Sequence, residues 1–333
     1  MEKVICFGEL LLRFSPALNG SWLTENSMPI FTGGAELNVA TALGHWNVPV
    51  KYVTALPKNY LSEQLLEYLR NSNIDTSSII FSGNRIGTYY LPQGEELKHA
   101  GVIYDRAYSS FSELRTGLIN WDDVLEGCRW LHLSAISPSL NKQVGDVCLE
   151  AVQAAASKNI IISFDLNYRQ KLWDNNPHSA ESLHNILQHC NVIMGNIWSM
   201  EKMLGINTSS ILHNKNDYVT QAHSSAEQLI KLYPSCTMVA NTFRLNYELN
   251  LNYYATLFAE GQQFVSPEYF TDHPVNKTGS GDAFMAGLIY SKLNDQSSQQ
   301  IINFAAAAAF KKMFYSADAL SASVDEVLNT MQE

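Results

Sequence analysis

Positive charge is scarce in this chain. Lys and Arg number 22 against 32 Asp and Glu, which gives a formal net charge of −10 over 333 residues. A surface of this sign repels nucleic acids and anionic lipid headgroups, so it argues against non-specific binding to any of them. No apolar run approaches the ~20 residues that cross a bilayer, and the N-terminus lacks the layout of a secretory leader. We therefore expect a cytoplasmic protein without a nucleic-acid or membrane partner.

Cysteine motifs and two well-known glycine signatures are also missing. The 5 cysteines are odd in number, widely spaced and form no C-x-x-C pair, which argues against a disulfide framework and a zinc site. No G-x-x-x-x-G-K-[ST] is present, which argues against a P-loop NTPase. No G-x-G-x-x-G follows the first predicted strand, which argues against a nicotinamide dehydrogenase. We expect free thiols and no metal site built by the protein alone.

The chain does contain a regular alternation of apolar runs and helical patterns. With 46% hydrophobic and 16% charged residues, it has the composition of a folded protein with a sizeable core. Apolar runs at 4–12, 50–55, 130–133 and 160–164 are separated by helical patterns such as 62–70 and 142–157. Continuous apolar strands between amphipathic helices predict an α/β fold, in which a mostly parallel sheet carries helices on both faces.

Two segments interrupt this alternation. Residues 14–32 and 85–110 lack long helical patterns and are typical of antiparallel strands. We expect them to form a small β-sheet lid across the carboxyl ends of the main strands, where ligands bind in open α/β folds. Residues 1–13, 33–84 and 111–333 would then form the core. An apolar outer face on such a lid needs a cover, so we expect a homodimer formed through the lids.

A glycine motif near the C-terminus has the layout of a phosphate site. Gly279 and Gly281 let the backbone approach a ligand closely, and an apolar helical pattern begins directly after them. Unpaired amides at the start of a helix favour an anion, so Gly279, Ser280 and Gly281 form a candidate anion hole. Asp282 would lie beside the transferred phosphate as a base. The alternative is an ordinary helix start with an acidic first turn.

A second glycine pair opens another helical pattern near the N-terminus. Gly33 and Gly34 permit close approach of a small polar ligand, and Asn38 follows one helical turn later with donors and acceptors. Apolar residues recur at helical spacing through Leu37 and Leu43. The alternative is a tight strand-to-helix turn in which Asn38 binds only the backbone.

Together, the two motifs resemble the paired signatures of the ribokinase-like (PfkB) carbohydrate kinases. The segments 8–16, 102–107, 164–169 and 171–173 are similar, in the same order, to those of 2-keto-3-deoxygluconate kinases. The resemblance implies a ribokinase-like fold with a β-sheet lid that closes over the sugar, and it implies ATP and Mg²⁺ as cofactors. It implies that the N-terminal glycines hold the sugar and that Asp282 is the catalytic base.

The resemblance also implies roles for residues that single motifs do not reveal. The candidate sugar-acid contacts, together with those of the N-terminal motif, are Gly33, Gly34, Asn38, Tyr89, Tyr104, Arg106 and Arg169. The candidate nucleotide contacts are Asn196, Thr278 and Gly281.

The two arginines suggest an acidic substrate. A guanidinium matches a carboxylate bidentately, and a neutral hexose does not require one. Their structural alternative is an ion pair with the neighbouring Asp105 or Asp165, and the tyrosines in predicted strands could equally be packing residues. His132 lies in an apolar strand, which favours a hydrogen-bonded core histidine over a catalyst.

Two positions depart from the family pattern. Asn276 stands where these kinases commonly have an aspartate linked to cation binding or loop order, and Ser199 stands where an Asn-x-x-Glu element has its acid. Monovalent-cation use and metal affinity are therefore left open. The leading hypothesis is ATP-dependent phosphorylation of 2-keto-3-deoxygluconate to its 6-phosphate. The alternatives are a kinase for fructose or another ketose, and a sugar-acid binding protein on a decayed kinase fold.

Overall fold

Strands and helices alternate over much of the chain. The computed structural model describes residues 3–16, 22, 26–92, 102–173, 178–208, 212–247 and 250–332. Its strands are β1 (Lys3–Phe7), β2 (Leu11–Phe14), β3 (Ile30–Gly33), β4 (Val50–Val53), β5 (Ala55–Leu56), β6 (Ile74–Asp75), β7 (Ile80–Phe81), β8 (Gly87–Tyr90), β9 (Ile103–Asp105), β10 (Cys128–Ser134), β11 (Ile161–Asp165), β12 (Val192–Met194), β13 (Met238–Tyr247), β14 (Asn250–Ala259), β15 (Gln262–Val265) and β16 (Tyr269–Thr271). Its helices are α1 (Ala35–His45), α2 (Tyr60–Asn71), α3 (Trp121–Val124), α4 (Lys142–Ser157), α5 (Gln170–Trp173), α6 (Ser179–Leu187), α7 (Ile197–Leu204), α8 (Lys215–Leu232), α9 (Ser280–Leu293), α10 (Ser298–Lys312) and α11 (Val324–Thr330).

The larger sheet is mostly parallel. Its strands lie in the order β15-β14-β13-β12-β11-β10-β1-β4-β6, and β16 also pairs with β14. Every pairing from β6 across to β13 is parallel. By contrast, β14 pairs antiparallel with β13, β15 and β16. The prediction of a mostly parallel sheet is confirmed. The strands β14, β15 and β16 add an antiparallel edge to it.

Both faces of this sheet are covered by helices. Val4 and Cys6 pack into a core with α1, α9 and α10, whereas Ile5 and Phe7 pack into a second core with α4 and α6. Neighbouring residues of a strand point to opposite faces, so a strand buried on both faces is apolar throughout. This arrangement leaves the ends of the strands free to build a ligand site. No helix in the described ranges has the length and apolar character that crossing a membrane requires.

A separate four-stranded sheet has the order β3-β2-β8-β9. It is mixed, because β2 pairs antiparallel with β3 but parallel with β8. The predicted antiparallel pairing is found for β2 with β3 and for β8 with β9, whereas the parallel pairing of β2 with β8 departs from the prediction. The sheet also begins at Leu11, inside the range 1–13 predicted for the core.

The apolar run 4–12 is a single predicted strand that the structure divides between the two sheets. The chain leaves β1 at Gly8, where an added Cβ would lie 2.1 Å from Glu36 Oε2, and enters β2 at Leu11. Both halves are buried and apolar, so hydrophobic pattern alone does not reveal the break.

Candidate active site

One cavity lies between the carboxyl ends of the parallel strands and the small sheet, and both glycine motifs open into it. Gly33 does not line the cavity; an added Cβ there would lie 2.9 Å from Tyr89 Oη. The sequence-predicted residues that do line the cavity are Gly34, Asn38, Tyr89, Tyr104, Arg106, Arg169, Asn196, Thr278, Gly279, Ser280, Gly281 and Asp282. The fold therefore brings together residues that are far apart in the chain.

The N-terminal turn requires glycine at one position. Gly34 has a φ of 133°, and a Cβ there would lie 2.4 Å from the carbonyl oxygen of Glu9. The backbone turns directly into α1, whose fourth residue is Asn38. Asn38 Nδ2 donates a hydrogen bond to Asp282 Oδ2 at 2.7 Å. The Asn38 side chain therefore links the two glycine motifs. The alternative, in which Asn38 binds only the backbone, does not account for this hydrogen bond.

Asp282 lies in the first turn of α9 and is almost fully buried. Burial raises its pKa from the ordinary value of 3.8 to about 8. The amide of Asn38 opposes this shift, and the nearby carboxylate of Asp165 adds to it. A carboxyl group whose pKa lies near neutral pH can accept a proton from a substrate and release it again, as general-base chemistry requires.

The turn before α9 lines the cavity. Gly279 caps the helix with a φ of 81°, and a Cβ there would lie 1.8 Å from the carbonyl oxygen of Asp318. The side chain of Asn276 accepts a hydrogen bond from Thr278 N at 2.9 Å, which orders the approach to the turn. The first amides of a helix have no intrahelical partner, so this end of α9 is suited to an anion.

Arg106 is held by a carboxylate that the sequence analysis did not identify. Its Nε and Nη2 atoms each lie 2.6 Å from Glu9 Oε2, and Ser109 Oγ donates to Glu9 Oε1. The alternative partner, Asp105, instead pairs with Arg85 at 2.7 Å. The charge of Arg106 is therefore compensated inside the protein. Glu9 falls within the segment 8–16, but nothing in the sequence pairs it with a residue so far away.

Arg169 also lines the cavity and is half-buried. Its Nη1 donates to the carbonyl oxygen of Tyr168 at 3.1 Å. Its positive charge lowers the pKa of Asp282, although burial, which raises that pKa, has the larger effect. Arg169 is therefore placed to attract an anionic substrate beside the candidate base.

The two tyrosines contact each other on the inner face of the small sheet. Tyr89 pairs with Tyr104 across β8 and β9, and their ring centroids are 6.3 Å apart. The Tyr89 hydroxyl donates to Asp318 Oδ2 at 2.7 Å, and Arg13 Nη2 lies 2.9 Å from Asp318 Oδ1. Tyr89 therefore has a protein partner already. The sequence analysis named neither Asp318 nor Arg13, which are distant in the chain.

Asn196 caps helix α7 and lines the cavity. Its Oδ1 accepts hydrogen bonds from Ser199 N at 2.8 Å and Ser199 Oγ at 3.0 Å. Ser199, which replaces the acid of the family element, therefore serves the helix cap. Two basic residues that were not identified from the sequence, Arg244 and Lys277, also line the cavity.

His132 is part of the core. Its Nδ1 lies 2.9 Å from Ser163 Oγ, and burial lowers its pKa from 6.5 to about 3. It is therefore neutral and hydrogen-bonded, as the strand pattern predicts.

Three known proteins show what this chain is similar to. A 2-dehydro-3-deoxygluconokinase of Thermotoga maritima, known from a crystal structure, is 32% identical, with 100% of both chains covered and a TM-score of 0.90. A 2-dehydro-3-deoxygalactonokinase of Haloferax volcanii is 30% identical over 171 residues, which are 51% of this chain and 54% of that protein. Fructokinase-1 of Oryza sativa subsp. japonica is 24% identical over 308 residues, which are 90% of this chain and 85% of that protein.

The family comparison agrees with the geometry of the cavity. The model of the pfkB family carbohydrate kinases matches residues 1–242 and 249–321, which include both glycine motifs and the small sheet. The match confirms the predicted family and the ribokinase-like α/β fold. The chain belongs to the pfkB family of carbohydrate kinases.

Proposed function

We propose that this protein phosphorylates 2-keto-3-deoxygluconate to its 6-phosphate with ATP as donor and Asp282 as general base. The hydrogen bond between Asn38 and Asp282 carries the proposal, because it joins the sugar-side motif to the phosphate-side motif at one buried carboxyl. The similarity to 2-dehydro-3-deoxygluconokinase over the whole chain supports this substrate class. An ATP-dependent reaction of this kind also supports a cytoplasmic location.

The geometry supports a direct transfer of the γ-phosphoryl group. Asp282 accepts the proton of the 6-hydroxyl while that oxygen forms a bond to phosphorus, and the bond between phosphorus and ADP breaks. Asn38 holds one carboxylate oxygen and leaves the other for the substrate. The amides of Gly279 to Asp282 stabilise the charge on the transferred group, which positioned donors can do without reorganisation.

The nucleotide side fits ATP and Mg²⁺. The start of α9 offers amides to the phosphates, and Arg244 and Lys277 add positive charge on the same wall. Bound Mg²⁺ would neutralise phosphate charge and would need few ligands from the protein. Asp165, which is buried and lines the cavity, is the carboxylate that would hold it.

We assign recognition of the substrate carboxylate mainly to Arg169. Arg106 already faces the buried carboxylate of Glu9, so its net attraction for a second anion is weak. Arg169 lies beside the base, and its hydrogen bond to the carbonyl oxygen of Tyr168 uses one of its five N–H donors. Arg106 and the two tyrosines then shape the pocket around the sugar.

The first test is ADP release with Mg-ATP and three acceptors: 2-keto-3-deoxygluconate, fructose and ribose. We expect a strong preference for the keto acid, with product mass showing one added phosphoryl group. In Arg169→Ala the KM for the acid rises about 10- to 100-fold, since a hydrogen bond to a charged group contributes about 1.5–3 kcal/mol. The KM for a neutral sugar stays nearly constant, and Arg70→Ala, an exposed arginine on α2, behaves as native protein.

Each other outcome identifies an alternative. Preference for fructose would support a ketose kinase, which the similarity to fructokinase-1 favours. An equal rise of KM for acid and neutral sugars in Arg169→Ala would remove the carboxylate assignment. Calorimetric binding of the acid with no turnover would indicate a binding protein on a kinase fold.

We further propose a homodimer formed through the small sheets. Phe14 faces Ile30 and Tyr90 across strands, and Tyr90 faces Ile103, so these four side chains share one face. That face is opposite to Tyr89, which lines the cavity. Ile30 is 56% exposed and Ile103 52% exposed, which leaves an apolar row for a second copy to cover.

Sedimentation velocity tests the dimer. We expect the native protein to sediment as a dimer and Ile103→Asp as a monomer, because a buried carboxylate opposes the contact. Phe270→Asp is the matched control: Phe270 is 60% exposed but lies in the larger sheet, on β16. A native monomer, or a dimer that survives Ile103→Asp, would contradict the proposed interface.

A further inference from the structure

Lys312, the last residue of α10, is buried completely. It has 0% exposure, which is unusual for a lysine unless its ammonium group has partners. Nζ donates to the carbonyl oxygens of Asn276 and Tyr315, each at 3.2 Å. These carbonyl oxygens replace part of the water that the ammonium group loses.

One of these carbonyls belongs to the segment that leads into the anion hole. The backbone amides of Val275 and Asn276 both donate to the carbonyl oxygen of Met313, at 2.8 and 3.0 Å. The side chain of Asn276 then accepts from Thr278 N, directly before Gly279. Residues at the end of α10 therefore hold the segment 275–278 through hydrogen bonds. This segment leads directly into the amides at the start of α9.

A buried charge network surrounds the ammonium group. Burial lowers the pKa of Lys312 to about 8, whereas Asp318 and Asp282 favour its charged form and Arg13 opposes it. Asp318 forms an ion pair with Arg13 from β2 and accepts the hydrogen bond of Tyr89 from β8. The backbone of Asp318 packs against Gly279 so closely that no side chain fits there. The network therefore connects the small sheet to the anion hole.

We infer that Lys312 is a positioning residue for phosphoryl transfer, whose fixed positive charge holds residues 275–278 so that the amides of α9 meet the phosphate correctly. The inference rests on the proposed kinase function. The side chain of Asn276 is a neutral amide rather than a carboxylate. The ammonium group of Lys312, which donates to the carbonyl oxygen of Asn276, supplies the positive charge at this segment. Because the cation is part of the chain, native turnover does not depend on which monovalent cation the buffer contains.

The test compares Lys312→Met, Lys312→Ala and the control Lys311→Met. Lys311 is the adjacent, partly exposed lysine of α10, and the structure gives it no contact with residues 275–278 among the described hydrogen bonds. We expect Lys312→Met to lower kcat about tenfold or more while the KM for the sugar acid changes little, since the sugar pocket is intact. Lys311→Met should match native protein. Thermal melts confirm that each variant is folded.

Rescue by small cations separates charge from packing. Lys312→Ala leaves a space lined by carbonyl oxygens, so ammonium or potassium chloride should restore kcat several-fold, since bound cations stabilise the state that holds them. Tetramethylammonium chloride at equal ionic strength is too large and should not restore it. A native kcat in Lys312→Met, or a loss in Lys312→Ala that no small cation restores, would overturn the inference.

A readout that needs no acceptor keeps this inference separate from the proposed function. Calorimetric affinity for Mg-ATP should fall in Lys312→Met and recover with ammonium in Lys312→Ala. If native protein phosphorylates no sugar, the proposed function fails, and the ATP affinities decide the inference alone. Equal ATP affinity in native protein and Lys312→Met would then overturn it.

Discussion

Asp282→Asn lowers kcat by about 100-fold or more while ATP and the sugar acid still bind with near-native affinity, because only the proton acceptor is lost. The asparagine keeps the shape of the side chain and can still contact Asn38, so the cavity persists. Single-turnover phosphoryl transfer and calorimetric binding measure the two quantities separately. The exposed Asp122→Asn is the control, and near-native turnover in Asp282→Asn would refute the role of Asp282 as base.

The same substitution stabilises the protein at neutral and higher pH. Burial raises the pKa of Asp282 from 3.8 to about 8, so the folded state holds a proton that the unfolded state releases. The free energy of unfolding therefore falls as pH rises between about 4 and 8, since unfolding releases that proton and a lower proton concentration favours its release. Asparagine has no such proton, so the Tm of Asp282→Asn exceeds the native Tm by a growing margin across this window. A constant difference in Tm over that range would show that burial does not raise the pKa of Asp282.

Arg106→Ala destabilises the protein by about 3–5 kcal/mol, because it leaves the carboxylate of Glu9 buried without its partner. The two side chains are only 4% and 2% exposed, so the pair has little contact with water in the native protein. Denaturant unfolding measures the loss. The variant with both Glu9→Gln and Arg106→Met should recover most of it, since no charge then remains buried.

A second arginine at the small sheet provides a matched control. Arg85 pairs with Asp105 at a similar distance, but these side chains are 36% and 50% exposed. Arg85→Ala should therefore change the free energy of unfolding by about 0–1 kcal/mol, as is typical of surface pairs. Equal losses in Arg85→Ala and Arg106→Ala, or no recovery in the double variant, would show that burial of Glu9 is not the cause.

The sequence predicts those parts of the site that depend on local backbone geometry. Gly34 and Gly279 occupy conformations that disfavour side chains, and glycine at a strand-to-helix turn signals this directly. The alternation of apolar runs predicts the parallel sheet for a similar reason, since burial on both faces removes polar residues from each strand.

Such local patterns do not predict contacts between residues that are far apart in the chain. Glu9 and Arg106 are 97 positions apart, and Tyr89 and Asp318 are 229 positions apart. With 32 acidic and 22 basic residues, charge alone does not select these partners. The neighbours Asp105 and Asp165 were the natural candidates by sequence proximity, whereas the fold supplies Glu9 to Arg106.

The hydrogen bond from Asn38 to Asp282 also bears on the synthesis of the protein. Its ends are separated by 244 positions, so it closes a loop that spans most of the chain. Such non-local contacts form late, because the entropy of loop closure must be overcome first. Domains generally fold as units. Because α1 packs into one core with α9 and α10, Asn38 and Asp282 come together, and the cavity around them forms, only after synthesis of the chain has passed these helices.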